Sequence, residues 1–284
     1  MNIAVTFLPR REPTPLPPIG FIGGGNMASA IIGGLLQRGL APADIAVVEP
    51  FAEARARLRQ QFGIAAQEQA GPALEAAGLV VWAVKPQTFK EAAAQARPHV
   101  GRALQLSVAA GIRSDSIAAW LGTERIVRAM PNTPALVGQG MTGLYARAAV
   151  GAEDKARVEQ VIATTGAFLW VDQERHLDAV TALSGSGPAY VFYFLEAMTR
   201  AGGEMGLSAE QARRLAVGTF AGASELARAS SDPLELLRER VTSKGGTTYA
   251  AITSLEGDKV KDAFVRALHA ARQRAEELGD EFGK

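Results

Sequence analysis

A glycine-rich run near the start of the chain, GGGNMA at positions 23–28, has the spacing of a phosphate-binding turn. It follows the apolar segment 19–22 and opens a helical pattern, which gives the motif G-x-G-x-x-A between a strand and a helix. In that motif Gly23 permits the tight turn, Gly25 lets a pyrophosphate approach the backbone, and Ala28 lets the helix lie close to the strand. The glycines by themselves also fit a plain turn between two buried elements.

The start of the following helix completes the predicted nucleotide site. Asn26 and Met27 place free N–H groups at the positive end of the helix, where an anion is stabilised. Glu49 ends the second predicted strand about 20 residues after Ala28, where an acidic side chain accepts hydrogen bonds from a ribose 2′-OH. This context favours nucleotide binding over the plain turn.

Glu49 also bears on the choice of nicotinamide cofactor. A carboxylate at this strand end repels the 2′-phosphate of NADPH and accepts hydrogen bonds from the diol of NADH, so it favours NADH. Arg55 and Arg57 lie one or two helical turns further on and can reach a phosphate. Glu49 can also be only a solvated strand end, so the sequence leaves NADH and NADPH both open.

The segment WAVKPQTF at positions 82–89 carries a buried strand out to the carboxyl edge of the predicted sheet. Ligands of open α/β sheets bind at this edge. The residues predicted to contact the cofactor are Ala83, Val84, Lys85 and Pro86. A solvated lysine that closes the strand is the alternative for Lys85.

Two prolines bracket Asn132 in the segment 128–144, RAMPNTPALVGQGMTGL, and fix a rigid loop at the same edge. Asn132 is predicted to contact the cofactor, and a rigid linker between domains is the alternative. Further on, the segment 181–198, TALSGSGPAYVFYFLEAM, leads into a helix that is more apolar than a one-sided surface helix. That helix fits either a dimer interface or the centre of a monomer core.

The second glycine-containing segment, VTSKGGTT at positions 241–248, crowds hydroxyls and backbone N–H groups at the start of a helix. Such a helix start can hold a carboxylate without arginine. Local evidence favours helix caps for Ser243, Thr247 and Thr248.

The order of strand and helix patterns predicts how these segments are positioned. Apolar strand patterns alternate with helical ones from about residue 19 to 147, as in a doubly wound parallel sheet. The predicted strands are 19–23, 45–49, 79–84, 104–108 and 125–129, with an edge strand at 141–146 and a short strand at 168–171. Gly39 and Gly63 lie where helix ends need a left-handed residue.

We therefore predict a disordered arm at 1–18, an α/β dinucleotide-binding domain at 19–150 and a mostly helical domain at 151–284. Pro13, Pro15, Pro17 and Pro18 favour an extended arm. Ser208 with Gln211 forms a capping box in the helical part.

Composition excludes several classes of function. The 284 residues include 30 basic and 29 acidic side chains, and no run of like charge suits a nucleic acid or a membrane surface. There is no cysteine, and the three histidines, His99, His176 and His269, are too far apart to suggest a metal site. No stretch suits a membrane helix or an export signal, so the expected location is cytoplasmic.

Taken together, five motifs resemble pyrroline-5-carboxylate reductase, the enzyme that closes proline biosynthesis. They are FIGGGNM, AVKP, RAMPNTPALV, ALSGSGPAYVF and VTSxGGTT, in this order. The match runs from Ile19 to about Leu278. It implies a Rossmann-type domain followed by an all-α dimerisation domain, a homodimer or a decamer built from dimers, and an active site shared between one subunit's nucleotide domain and the partner's GGTT loop.

The resemblance also implies a reaction, the NAD(P)H-dependent reduction of 1-pyrroline-5-carboxylate to L-proline by hydride transfer to the imine C5. The cofactor carries the hydride chemistry, so the protein need only align donor and acceptor. Thr248 would hydrogen-bond the imine nitrogen and act as the catalytic residue. The carboxylate would be bound by Ser243 and by the N–H groups of Gly245, Gly246 and Thr247.

Two positions depart from the family pattern. Lys244 replaces a proline, which loosens the loop and adds a positive charge near the substrate carboxylate. Glu49 replaces a small or neutral residue in a family that commonly prefers NADPH. The rival hypotheses are a hydroxy-acid or imine reductase, which uses a helix lysine as proton donor, and a nucleotide sensor without turnover.

Overall fold

The computed structural model describes residues 15–283. These residues form two compact units. One consists of residues 15–184 and 275–283, and the other is Gly185–Arg274. Of the predicted arm, 1–18, residues 1–14 lie outside the described part of the chain. Closer to the first strand, the carbonyl of Pro18 accepts a hydrogen bond from the N–H of Gly78 at 2.9 Å, so the chain is already attached to the sheet unit there.

Seven strands form one sheet in the order β2-β1-β3-β4-β5-β6-β7. They are β1 (Ile19–Ile22), β2 (Ile45–Val48), β3 (Leu79–Trp82), β4 (Leu104–Ser107), β5 (Ile126–Met130), β6 (Gly140–Ala146) and β7 (Gly166–Trp170). The first five strands are parallel, β6 is antiparallel to β5, and β7 is parallel to β6. The chain passes from β1 to β2 and then returns beyond β1 to β3, so the β1/β3 boundary is a topological switch point.

The sheet is covered on both faces. Successive residues of a strand therefore point into two different cores. In β3, Leu79 and Val81 belong to one core and Val80 and Trp82 to the other, and all four are fully buried. The first face is covered by α1 (Asn26–Gln37), α2 (Ala52–Phe62) and α5 (Ala152–Ile162), and the second by α3 (Pro86–Val100) and α4 (Ser114–Leu121). The predicted doubly wound fold is confirmed.

The sheet unit extends beyond the boundary predicted at residue 150. Helix α5 buries Val158, Val161 and Ile162 in the first core, and β7 pairs with β6. The segment 141–146, predicted as an edge strand, therefore lies inside the sheet, and β7 is the edge. The change of sequence pattern at 151–154 marks only the turn before a further crossover helix.

Before the chain enters the second unit, α6 (His176–Val180) is followed by a π-helical turn at Thr181–Gly185. The second unit contains α7 (Gly187–Glu204), α8 (Ala209–Ala229), α9 (Leu234–Arg240), α10 (Thr247–Gly257) and the first part of α11 (Val260–Phe282). The predicted capping box of Ser208 and Gln211 is present at the start of α8. No helix in the described part of the chain is long and apolar enough to cross a membrane.

The helical unit leaves large apolar side chains exposed. On α7, Phe192 is 58% and Tyr193 70% exposed, and Leu226 on α8 is 71% exposed. Within the unit, Tyr190 and Phe194 contact Phe264 edge to face. Since exposed apolar surface of this extent is typical of an interaction site, the structure favours the interface interpretation of α7 over a monomer core.

Candidate active site

Gly23 directly follows β1 and makes the turn that the motif predicts. Its φ is +95°, which strains any residue with a side chain. Its N–H donates to the carbonyl of Val48 at 2.8 Å, and a Cβ here would lie 2.5 Å from the carbonyl oxygen of Ala83. The fold therefore requires glycine at this position for two independent reasons.

Gly25 precedes α1 and is under different constraints. Its φ is −73°, an ordinary value for any residue. A Cβ built on Gly25 would meet no described atom within 4 Å. Nothing within the chain thus requires glycine at this position, whereas the approach of a pyrophosphate to the backbone does. Gly25 is the residue of the run that indicates a ligand.

Helix α1 presents unpaired N–H groups beside Gly25. Its first backbone hydrogen bond runs from the N–H of Ser29 to the carbonyl of Gly25. In the described chain, the N–H groups of Asn26, Met27 and Ala28 therefore have no backbone acceptor. No side chain caps the helix, and its first turn contains no acidic residue. This arrangement is suited to binding an anion such as a phosphate.

Glu49 is buried at the end of β2 and is not a solvated strand end, since only 5% of it is exposed. Its Oε2 accepts a hydrogen bond from the N–H of Gly24 at 2.8 Å, and its Oε1 accepts one from the N–H of Phe51 at 2.9 Å. The carboxylate therefore ties the glycine turn to the start of α2 and places a negative charge at the site. Local sequence patterns missed this tie because Gly24 and Glu49 are 25 residues apart.

The two arginines considered for a 2′-phosphate differ in their surroundings. The Arg55 guanidinium donates to the carbonyls of Glu49 at 2.9 Å and Pro50 at 2.6 Å, and it pairs with Glu68 at 3.0 Å. Arg57 is exposed. Arg55 is thus engaged in holding the end of β2, and Arg57 is the arginine of the two that is available to a ligand.

The segment 83–86 lies beside Gly23 at the switch point. The N–H of Ala83 donates to the carbonyl of Ile22 at 2.8 Å, which continues the contact between the two strands past β3. Lys85 is exposed and precedes α3, which begins with Pro86. The structure therefore brings the predicted residues of this segment to the same crevice as the glycine turn, and their contact with a cofactor stays a prediction.

Asn132 follows β5, which is three strand spacings, or about 14 Å, away from β1. Its Oδ1 accepts a hydrogen bond from the N–H of Met141 at 2.9 Å, and its Nδ2 donates to the carbonyl and the hydroxyl of Ser184 at 3.2 and 3.1 Å. The amide group thus holds the π-helical turn against the start of β6. This arrangement makes Asn132 a positioning residue, and its predicted contact with the cofactor is untested.

A separate charged cluster lies on the sheet unit and has a structural explanation. Arg128 of β5 is 7% exposed and donates to Glu174 at 2.7 Å. Glu174 also accepts hydrogen bonds from the N–H of Ser114 at 2.6 Å and its hydroxyl at 2.5 Å, which fixes the start of α4. Burial raises the pKa of the nearby Asp178 carboxyl, against the opposing effect of the Arg128 and Arg113 charges.

The loop before α10 carries the other predicted site residues. The N-cap of α10 is Gly246, and no side chain makes a capping hydrogen bond. The cap interpretation of Ser243, Thr247 and Thr248, which local evidence favoured, is therefore wrong. All three side chains are exposed, and Gly245 has a left-handed φ of +77°.

One amide of the predicted carboxylate pocket is already used by the loop itself. The N–H of Gly246 donates to the carbonyl of Ser243 at 3.0 Å, so it is not free for a ligand. The first backbone bond of α10 runs from Ala250 to Gly246. The N–H groups of Thr247 and Thr248 therefore have no backbone acceptor in the described chain. The first turn of α10 also lacks acidic residues, so the helix start is open to a carboxylate.

The parallel sheet, its switch point, and a glycine turn that opens onto a free helix N-terminus define a dinucleotide-binding protein of the doubly wound α/β class. A family model for NADP oxidoreductases, coenzyme F420-dependent, matches residues 18–111, and one for pyrroline-5-carboxylate reductase dimerisation matches residues 174–278. The chain belongs to the pyrroline-5-carboxylate reductase family, because a member of that family is 46% identical to it over 94% of its length.

Individual relatives agree with this assignment. A pyrroline-5-carboxylate reductase of Pseudomonas aeruginosa is 46% identical over 94% of this chain and 99% of its own length. The solved structure of a pyrroline-5-carboxylate reductase from Coxiella burnetii is 37% identical, with a TM-score of 0.86 over 93% of this chain and 99% of its own. Plasmodium falciparum pyrroline carboxylate reductase with NADP bound is 28% identical, with a TM-score of 0.83 over 93% and 98% of the two chains.

Proposed function

We propose that this chain reduces 1-pyrroline-5-carboxylate to L-proline, with NADH or NADPH as the reductant. Family membership supports the substrate and the reaction. The observation that carries the proposal is Gly25, which has no structural need to be glycine and lies at an open helix N-terminus. A bound dinucleotide explains both features.

When bound, the reduced nicotinamide would supply a hydride to C5, the electron-poor carbon of the substrate imine, and the ring nitrogen, which gains the electron pair of the C=N bond, would take up a proton from solvent. The N–H groups of Asn26 and Met27 hold the pyrophosphate at the start of α1. Glu49 lies at the ribose of the adenosine half, and the segment 83–86 borders the crevice at the switch point. These residues bind and orient the cofactor without taking part in bond making.

The substrate is held by the start of α10. The substrate carboxylate accepts hydrogen bonds from the N–H groups of Thr247 and Thr248 and from the hydroxyl of Ser243. The positive charge of the Lys244 ammonium also attracts this carboxylate. Gly246 shapes the turn and does not bind the ligand through its N–H. The hydroxyl of Thr248 hydrogen-bonds the ring nitrogen, where charge changes most during hydride transfer.

Self-association follows from the dimerisation domain that the chain shares with its family. We propose that the active species is a homodimer in which the start of α10 from one subunit serves the nucleotide site of the other. Larger assemblies, such as a decamer built from dimers, would add copies of this unit without changing it.

The reaction itself is tested with the purified chain, 1-pyrroline-5-carboxylate and either NADH or NADPH. We expect the absorbance of the reduced cofactor to fall and L-proline to accumulate in equal amount. The same mixture without the imine controls for background oxidation. If neither cofactor is consumed in the presence of the imine, the proposed function is wrong.

Cofactor preference is tested by replacing the buried acid. Because the carboxylate of Glu49 repels a 2′-phosphate, Glu49→Ser is expected to raise the ratio of kcat/KM with NADPH to kcat/KM with NADH by about 10-fold. The substitution also removes the hydrogen bond from the N–H of Gly24 to Glu49. This loss affects kcat/KM with both cofactors and cancels in the ratio. Glu49→Asp keeps the charge and should retain the wild-type ratio. An unchanged ratio in Glu49→Ser would show that this side chain does not sense the ribose.

A further inference from the structure

Phe51 is an exposed aromatic side chain beside the nucleotide site. It is 73% exposed, whereas every other Phe, Tyr and Trp described in the sheet unit is at least partly buried. A lone exposed apolar side chain is common on protein surfaces and carries no argument without its context. The context here is its place at the end of β2, two residues after Glu49.

Hydrogen bonds hold the backbone of residues 49–51, which carries Phe51, in place. Its N–H donates to Oε1 of Glu49 at 2.9 Å, and its carbonyl accepts from the N–H of Arg55 at 3.0 Å. The carbonyls of Glu49 and Pro50 accept from the Arg55 guanidinium, and the N–H of Glu49 donates to the carbonyl of Gln67 at 2.8 Å. The ring is therefore presented to solvent from a fixed segment.

One carboxylate connects Phe51 to the glycine turn. Glu49 accepts from Gly24 with one oxygen and from Phe51 with the other, so the backbone N–H groups of Gly24 and Phe51 lie on either side of a single carboxylate. An acid at this strand end marks the ribose of the adenosine half. The adenine attached to that ribose then lies near the exposed ring.

We infer that Phe51 stacks against the adenine ring of the bound dinucleotide and contributes affinity for the adenosine half. The inference rests on the proposed function, since it needs a dinucleotide at the glycine turn. Stacking uses the faces of two flat rings and does not depend on the 2′-substituent. The contribution of Phe51 is therefore equal for NADH and NADPH, unlike that of Glu49.

The test measures binding by calorimetry for Phe51→Ala, with ADP as a probe that contains adenine and reduced nicotinamide mononucleotide as one that lacks it. We expect Phe51→Ala to weaken ADP, NADH and NADPH alike by about 10-fold, the scale of one lost base–aromatic stack. Binding of the mononucleotide should not change. Phe51→Tyr keeps the aromatic face and should bind ADP as the wild type does.

Phe51→Leu provides a second variant, because it keeps the apolar bulk and lacks the ring face. It should weaken ADP in the same direction as Phe51→Ala, and both should unfold at the wild-type temperature, since the side chain is exposed. Wild-type affinity for ADP in either variant would overturn the inference and leave the proposed function intact. A wild-type protein that binds neither ADP nor the two cofactors would overturn both.

Discussion

Gly25→Ala is expected to weaken NADH and NADPH binding on the order of 100-fold, because a methyl group at this position displaces the pyrophosphate from the helix start. The folded chain accommodates the methyl group without strain. The φ of Gly25 is −73°, and no described atom lies within 4 Å of the added Cβ. Titration of the reduced cofactor by its fluorescence measures the loss, and thermal unfolding should give the wild-type midpoint.

Gly23→Ala is the matched control, two residues earlier in the same turn. At Gly23 the φ of +95° and the carbonyl of Ala83 at 2.5 Å from the added Cβ make the methyl group costly to the fold itself. This variant should therefore unfold at a lower temperature or fail to fold. Wild-type cofactor affinity in Gly25→Ala would mean that no phosphate lies against this glycine.

Thr248→Ala is expected to lower kcat by about 100-fold, the loss typical of removing one hydrogen-bond donor or acceptor that acts at the reacting centre. Thr248 is exposed at the second position of α10, so the substitution breaks no packing. The dissociation constant of the cofactor should not change. Steady-state kinetics with saturating imine and cofactor separate the two quantities.

Thr248→Ser keeps the hydroxyl and should retain most of the activity. Thr247→Ala, one residue earlier, is the control, because it removes a hydroxyl but keeps the backbone N–H that binds the carboxylate. Full activity in Thr248→Ala would remove this hydroxyl from the mechanism. A second outcome is informative as well: a raised KM with unchanged kcat would place Thr248 in substrate binding alone.

The same two variants test whether the site is shared between subunits. In a mixed dimer of Gly25→Ala and Thr248→Ala chains, a shared arrangement leaves one site with an intact nucleotide turn and an intact substrate loop. Random mixing should then restore about a quarter of wild-type activity, because half of the dimers are mixed and each has one intact site. Mixtures that stay inactive would show that each chain supplies both parts of its own site.

Local structure was predictable from the sequence at several turns and helix ends. The turn at 23–28, the left-handed glycines Gly39 and Gly63, and the capping box at Ser208 all appear as expected. Each depends on residues within a few positions, whose backbone angles and hydrogen bonds the side-chain types constrain directly. The alternation of strand and helix patterns likewise predicted the parallel sheet.

Contacts between distant positions were decided by the tertiary structure. Glu49 is not a solvated strand end, because its carboxylate accepts a hydrogen bond from the N–H of Gly24. The amide of Asn132 donates a hydrogen bond to Ser184, 52 residues away. Sequence patterns do not encode which donor meets which acceptor across such distances, because the pairing depends on how the strands are ordered in the sheet.

The extent of the sheet unit was decided in the same way. The pattern at 151–154 predicted a new domain, yet α5 and β7 complete the sheet, because their apolar faces find the core that the preceding strands had formed. By itself the sequence determined the class of fold and the local structure of the turn at 23–28 and of the cap at Ser208. The tertiary structure decided which of those groups remain free to bind a ligand, since a backbone N–H that is already paired within the chain, as at Gly246, is not available for one.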